Sequence, residues 1–202
     1  MKTIKLTLVA LFTGLLTVSL AQSVKVVEGS LATLKGSTSL NVEYDWSDFR
    51  VGKFAKETEY LDKKEAEYNE KEAGKGTTWR ASWDADKAGR YQPKFEELFN
   101  KATSKIGINL GNQADSKYLA IVKTTFLEPG WNIFVSKAPA SANMDVTIVE
   151  KANPSKVVAK VVITGSKGRT YGYGDLDTGV RIAECYALAG KKLGALFSKQ
   201  LK

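Results

Sequence analysis

Cysteine and histidine are nearly missing from this chain, and this limits how it can be stabilised and what chemistry it can carry. Cys185 is the only cysteine, and none of the 202 residues is histidine. A single thiol cannot close an internal disulfide, so the fold has to be stabilised by apolar packing. Without imidazole, Ser-His-Asp and Cys-His catalysis and His-ligated zinc or haem are excluded.

The amino terminus has the pattern of a secretory signal peptide. Lys2 and Lys5 precede an uncharged apolar stretch over residues 6–20, and Ser19 and Ala21 place small residues before a cleavage site. The stretch is shorter than the roughly 20 residues that span a bilayer. We therefore predict that residues 1–21 are removed between Ala21 and Gln22. The chain is then exported, to the periplasm or the extracellular space, with no lipid anchor and no transmembrane segment after cleavage.

The charge of the chain is moderately positive and dispersed. The formal balance is 30 − 22 = +8, and loss of Lys2 and Lys5 leaves 28 − 22 = +6 for residues 22–202. Nucleic-acid-binding proteins gather their positive charge on one face or in one run, and no such run occurs here. No nucleic-acid partner is predicted, and residues 22–202 are expected to form a single domain.

Several segments have the composition of β-strands. Apolar, β-branched or alternating residues predict strands over 24–27, 39–44, 117–128, 131–135, 144–151 and 156–164. Glu128-Pro129-Gly130 has the residues of a type II turn. The last two strands should form a hairpin whose core-facing residues are Val146, Ile148, Val157, Ala159, Val161 and Ile163.

Three segments have helical spacing. Residues 53–75 carry a thin apolar stripe and should form a surface helix on a sheet, ended by Gly74 and Gly76. Pro93 begins a second helix that extends to 106, and a long amphipathic helix covers 178–201. Its small residues Ala183, Ala187, Gly190 and Gly194 would permit close approach of a neighbouring element. The predicted fold is α+β, a mainly antiparallel sheet with helices packed on it.

Three aromatic residues form the main candidate ligand site. Trp79 and Trp83 are four residues apart, and Tyr91 follows. Exposed aromatic rings at this spacing are typical of sugar-binding and peptide-binding surfaces. The same rings could instead fill the core between two helices. Both interpretations stay open at this point.

Other motifs point to structure rather than to catalysis. Asp177-Thr178-Gly179 spells the loop of an aspartic protease, but it occurs once and directly precedes a helix, so Asp177 or Thr178 should be a helix cap. Asp175 with Asp177 offers too few ligands for calcium. Cys185 should be a small buried hydrophobic residue. We predict no catalytic residue, no metal site and no cofactor.

The order of elements over residues 39–202 resembles that of known envelope proteins. The motifs that carry the resemblance are Glu128-Pro129-Gly130 and Ala189-Gly190-Lys191-Lys192-Leu193. The chain resembles uncharacterised exported proteins of Bacteroidetes and, at the level of fold, the TolB amino-terminal domain and ABC-transporter auxiliary lipoproteins. It lacks the anchoring cysteine of the lipoproteins. The resemblance implies a periplasmic accessory or assembly role without catalysis.

Three functions follow as expectations. The first is a non-enzymatic cell-envelope protein that contacts a protein partner through a sheet edge or a helix face. The second is a glycan or small-ligand binding module that uses Trp79, Trp83 and Tyr91. The third is a carboxylate-dependent hydrolase, which requires two acidic side chains that converge in one pocket.

Overall fold

A computed structural model describes residues 22–133, 135–168 and 177–202. The predicted signal peptide with Ala21, Phe134 in the predicted strand 131–135, and Asp175 lie outside these residues. Gln22, on the mature side of the predicted cleavage site, is the first residue described.

The described residues contain a seven-stranded sheet and a separate two-stranded hairpin. The strands are β1 Ser23–Gly29, β2 Ser39–Asp45, β3 Arg50–Val51, β4 Asn109–Gly111, β5 Tyr118–Glu128, β6 Trp131–Asn132, β7 Lys137–Ala138, β8 Ser141–Glu150 and β9 Asn153–Lys167. In the large sheet the order is β1-β9-β8-β5-β2-β4, and β3 pairs with the end of β5. Strands β6 and β7 form the hairpin.

The prediction of an α+β fold with a mainly antiparallel sheet is confirmed, but the sheet also contains parallel pairs and is therefore mixed. Strands β1, β9, β8 and β5 pair antiparallel, whereas β2 is parallel to both β4 and β5, and β3 is parallel to β5. Parallel neighbours need a long crossover connection. Here three helices lie between β3 and β4 and supply it. Side-chain periodicity shows which residues share a face but gives no strand direction, so the sequence pattern did not indicate this.

Four α-helices accompany the sheet in the described chain: α1 Glu57–Lys71, α2 Lys75–Asp86, α3 Gln92–Thr103 and α4 Thr178–Gln200. A π-helical turn, Lys87–Tyr91, joins α2 to α3. The predicted small-residue stripe of α4 is confirmed as a close contact with α3. A Cβ atom at Gly190 would lie 2.1 Å from the carbonyl oxygen of Phe95. Glycine is therefore required for the two helices to approach this closely.

The core lies between α3, α4 and one face of the sheet. Along β8, Met144, Val146 and Ile148 are fully buried, while the alternate residues face away from the helices. The inward assignment of Val157 is wrong, because its side chain is 38% exposed and Val158 is buried instead. The register of β8 and β9 shifts next to Ile148, and this irregularity reverses the alternation.

The first two helices differ from the prediction. Helix α1 packs mainly against α2 rather than on the sheet. Gly74, with φ of 81°, separates the two helices, whereas Gly76 lies inside α2. A Cβ atom at Gly76 would lie 2.0 Å from the carbonyl oxygen of Glu65, so this glycine permits helix packing and does not end a helix.

The predicted strand over 131–135 is also shorter in the structure. Among the described residues of this segment, Trp131–Asn132 pairs as a strand, and its partner is Lys137–Ala138. The following strand, β8, begins at Ser141, before the start of the strand predicted over 144–151. The β8–β9 hairpin and the amphipathic helix α4 are confirmed.

Candidate binding cleft

A cavity of about 210 Å³ opens between α2 and the first turn of α4. We call it the tryptophan–aspartate cleft. Its walls combine aromatic rings with carboxylates and hydroxyls, contributed by Tyr68, Trp79, Ser82, Trp83, Asp86, Asp177, Thr178 and Gly179. Two of the three aromatic residues singled out in the sequence therefore line one cavity.

The aromatic wall follows from helical spacing. Trp79 and Trp83 are one turn apart on α2, and their ring centroids are 5.7 Å apart. Tyr68 of α1 packs against Trp79 at 5.5 Å. The indole of Trp83 is only 3% exposed and donates a hydrogen bond to Glu57 Oε1 at 2.6 Å. Trp79 is half-buried, so it offers the accessible ring of the cleft.

Tyr91 does not belong to this surface. Its side chain is fully buried, and its ring stacks on that of Tyr186 with centroids 5.1 Å apart and an interplanar angle of 9°. Burial raises the pKa of the Tyr91 hydroxyl well above its ordinary value, and the charges of Asp86 and Asp177 act in the same direction. The three aromatic residues thus do not form one exposed surface, and a ligand role for Trp79 and Trp83 stays a prediction.

Two aspartates form the polar wall of the cleft, and one guanidinium contacts both. Arg90 Nε lies 3.0 Å from Asp86 Oδ1, and Arg90 Nη1 lies 2.7 Å from Asp177 Oδ2. Sequence reasoning missed Asp86 and Arg90, although they form an i,i+4 pair that spacing can reveal. Asp177 is 87 residues from Arg90. Only the tertiary fold brings these two together.

The pKa values of Asp86 and Asp177 are shifted in opposite directions. Burial raises the pKa of Asp86, and the negative charge of Asp177 adds to this effect, against the opposing charge of Arg90. Burial acts to raise the pKa of Asp177 as well, but hydrogen bonds from Arg90 and from the Gly179 amide outweigh it, and the pKa is lowered.

The Asp86 and Asp177 carboxylates are both in contact with protein groups. Two carboxylates of unequal pKa in one cavity are the arrangement that acid–base hydrolysis uses. Asp177, however, accepts hydrogen bonds from the amides of Gly179 at 2.7 Å and Val180 at 3.4 Å, which confirms it as the cap of α4. Both carboxylates are therefore held by protein groups, and their remaining lone pairs can accept hydrogen bonds from a ligand.

Cys185 lies away from the cleft opening and is confirmed as a buried residue. Its side chain is inaccessible, and its sulfur accepts a hydrogen bond from the Gly168 amide at 3.1 Å. Burial raises the pKa of the thiol to about 12. A thiol with this pKa is protonated at neutral pH and is a poor nucleophile. Across the part of the chain that the structure describes, no three His, Cys, Asp or Glu side chains are grouped to hold a metal ion.

Two further surfaces are accessible. The sheet face opposite the helices is polar, with ion pairs such as Lys123–Asp45 at 3.3 Å and Lys160–Asp145 at 2.9 Å. Strand β1 forms one edge of the sheet.

Within the described residues, no helix has both the length and the apolar character needed to cross a membrane.

Comparison with protein-family models gives no match, and comparison with curated proteins gives none. Among solved structures, the chain is similar to the PelC dodecamer from Paraburkholderia phytofirmans, with 10% identity, a TM-score of 0.43, and coverage of 90% of this chain and 99% of that one. A PelC variant from the same organism aligns with 8% identity, a TM-score of 0.37, and coverage of 83% and 97%. A Xanthomonas campestris protein assigned to DUF330 aligns with 9% identity, a TM-score of 0.34, and coverage of 52% and 60%. At such scores these likenesses carry no argument about function.

Proposed function

We propose that this chain is an exported, non-enzymatic accessory protein of the cell envelope that acts through protein–protein contacts. The signal-peptide pattern of residues 1–21 supports export. The open edge of β1 is the observation that supports a protein contact. In the described chain β1 pairs with β9 on one side and with no strand on the other. Unpaired amides and carbonyls along such an edge can pair with a strand of a partner.

The side chains of β1 make this edge selective. A bulge between Val26 and Glu28 leaves Val27 outside the register with β9, and its side chain is 56% exposed. Lys25 and Glu28 are exposed on either side of it. Charged residues and a bulge hinder indiscriminate strand pairing. A partner strand with an apolar centre and opposite flanking charges would fit this edge.

Site-specific photo-crosslinking in the native host tests the contact. A photoreactive residue at Val27 should give one dominant adduct with an envelope protein, and the same residue at Val157 should not. Val157 is the matched control because it is also an exposed apolar strand residue, at 38%, but does not lie on the β1 edge. The substitution Val27→Lys should reduce recovery of the partner about tenfold or more, while Val157→Lys leaves it unchanged. Equal adducts at both positions would refute the edge contact.

Export is tested separately by the mass of the native protein. A processed chain that begins at Gln22 and is found in the periplasm or the medium is the expected result. Recovery of a cytosolic chain with an intact residue 1 would contradict the envelope assignment, whatever the crosslinking result.

The cleft supports a second candidate function, binding of a glycan-type ligand. The supporting observation is that the accessible Trp79 ring and the Asp86 and Asp177 carboxylates line one cavity. Sugars are bound by rings that cover their apolar face and by acceptors for their hydroxyls. A cavity of about 210 Å³ lies below the usual range for drug-sized ligands. A single sugar ring is therefore the expected occupant.

Titration with simple sugars, followed by tryptophan fluorescence, tests this candidate. A saturable change that Asp86→Asn weakens about tenfold or more would support binding by the cleft. The matched control is Asp84→Asn, an exposed carboxylate on the same helix that does not line the cavity. Product release that disappears in Asp86→Asn would instead favour the hydrolase. Absence of any saturable change would exclude the sugars tested.

A further inference from the structure

The β6–β7 hairpin carries the two most exposed large apolar side chains of the described chain, together with an exposed tryptophan. Val135 is 93% exposed, Ile133 60% and Trp131 49%. Backbone hydrogen bonds hold these residues in one turn, including one from the Ile133 amide to the Ser136 carbonyl at 3.0 Å. We call Trp131, Ile133 and Val135 the apolar tip. Exposed apolar side chains are normally scattered singly, so three in one turn indicate a contact surface.

The base of the hairpin keeps the tip away from the protein body. Arg181 is 4% exposed and donates from Nε to the Pro129 carbonyl at 3.2 Å and from Nη2 to the Gly130 carbonyl at 3.4 Å. A Cβ atom at Gly130 would lie 2.4 Å from the Ala138 carbonyl oxygen, so the two hairpin arms approach closely there. The tip is thus presented outward by a defined base.

Polarity changes in layers from the tip to the base. Ile133 and Val135 are purely apolar, whereas the indole of Trp131 has a polar edge and donates to Ser136 Oγ at 3.2 Å. Lys137 follows on the opposite arm and is exposed. Tryptophan and lysine occupy these levels where proteins meet a lipid headgroup layer.

Three basic residues lie near the strand ends from which the hairpin extends. Arg50 and Lys53 adjoin the end of β5, where the Gly52 amide donates to the Leu127 carbonyl at 2.8 Å, and Lys167 pairs with Ser141 at the start of β8. All three are exposed. The nearby carboxylate of Glu128 accepts a hydrogen bond from the Gly130 amide at 3.2 Å. The surroundings of the tip are therefore complementary to a negatively charged surface.

We infer that the apolar tip inserts into the interface of an anionic lipid bilayer, with Ile133 and Val135 at the acyl boundary and Trp131 among the headgroups. Insertion of a few apolar side chains combined with attraction of basic residues is sufficient for reversible binding at a membrane surface. The inference does not depend on the β1 contact. Export to the periplasm would be enough to bring the tip to a membrane surface.

Vesicle co-sedimentation with the processed, full-length protein tests the inference. Vesicles that contain phosphatidylglycerol should bind the protein, and phosphatidylcholine vesicles should bind it less. The double variant Ile133→Ser with Val135→Ser should lower the partition coefficient about tenfold or more. The matched control is Val157→Ser with Val180→Ser, which removes two exposed apolar side chains elsewhere and should leave vesicle binding unchanged.

Fluorescence provides a second readout. Addition of anionic vesicles should shift the tryptophan emission to shorter wavelength, and the shift should disappear in Trp131→Phe, which leaves three other tryptophans in place. Wild-type protein that does not bind anionic vesicles, or a double tip variant that binds like the wild type, would overturn the inference. If the double tip variant lost self-association in light scattering but still bound vesicles like the wild type, the tip would instead be assigned to contacts between copies of this chain.

Discussion

Single atoms determine how closely α3 and α4 pack. Gly190 lies against the Phe95 carbonyl, where a Cβ atom would be only 2.1 Å from the oxygen. Gly190→Ala should therefore lower the free energy of unfolding by at least about 1–3 kcal/mol, because backbone atoms have to move apart. Urea denaturation measures this difference.

Gly89 provides the matched control. It lies in the π-helical turn, and nothing approaches within 4 Å of its potential Cβ atom. Gly89→Ala should leave stability unchanged or raise it by up to about 1 kcal/mol through the unfolded state. Equal losses in both variants would mean that the α3–α4 contact is looser than the structure shows.

Residue identity alone predicted some of this packing. The small-residue stripe on α4 and the burial of Cys185 could both be read from the sequence, because helical spacing and residue size determine them. The packing role of Gly76 and the exposure of Val157 could not be predicted from the sequence. One depends on the approach of Glu65 from another helix, and the other on a register shift between two strands.

At the scale of elements, α4 depends on the cap that begins it. The Asp177 carboxylate accepts hydrogen bonds from the backbone amides of Gly179 and Val180. Asp177→Ala should lower the free energy of unfolding by about 0.5–2 kcal/mol. Asp177→Asn should cost less, since asparagine also caps helices, although its pairing with Arg90 is weakened. Thermal or urea unfolding of the two variants compares them, and equal stability of Asp177→Ala and the wild type would contradict a stabilising cap.

Element positions were largely predictable, whereas their directions and partners were not. The positions of α3, α4 and the β8–β9 hairpin, though not all of their end residues, follow from periodicity and turn residues. The parallel pairing of β2 with β5 depends on a crossover of three helices, and the pairing of α1 with α2 depends on two facing aromatic stripes. The aromatic spacing is visible in the sequence, but the element against which each stripe packs is not.

At the scale of the whole molecule, a half-buried carboxylate links the sheet to the helical layer and makes stability depend on pH. Burial raises the pKa of Glu96 of α3, partly offset by a hydrogen bond from the Tyr44 hydroxyl of β2 at 3.1 Å. The native state then holds this proton more tightly than the unfolded state. The contribution of Glu96 to stability is therefore greatest at low pH and falls as the pH rises through the pKa of the folded protein.

Glu96→Gln removes this dependence. Relative to the wild type, the variant should gain stability as the pH rises from about 4.5, the ordinary pKa of the group, to neutrality. Urea denaturation at a series of pH values measures the difference. Glu97→Gln, on the exposed side of the same helix, controls for loss of one charge. A constant offset between Glu96→Gln and the wild type would contradict the assignment.

The cleft was only half predictable at this scale. Trp79 and Trp83 could be found from their spacing, since one helix carries both. Asp86 and Asp177 meet only because α2 and the beginning of α4 are brought together by the complete fold. Aspartates that are distant in sequence gave no signal of convergence.

Arg181 has a mechanical consequence for the molecule. Its Nη2 also donates to Thr178 Oγ1 at 2.9 Å, and Thr178 lines the tryptophan–aspartate cleft. The same guanidinium holds the carbonyls at the root of the β6–β7 hairpin. The Arg181 side chain therefore links the base of the β6–β7 hairpin to the tryptophan–aspartate cleft. A displacement of either region would distort the hydrogen bonds that Arg181 makes to the other.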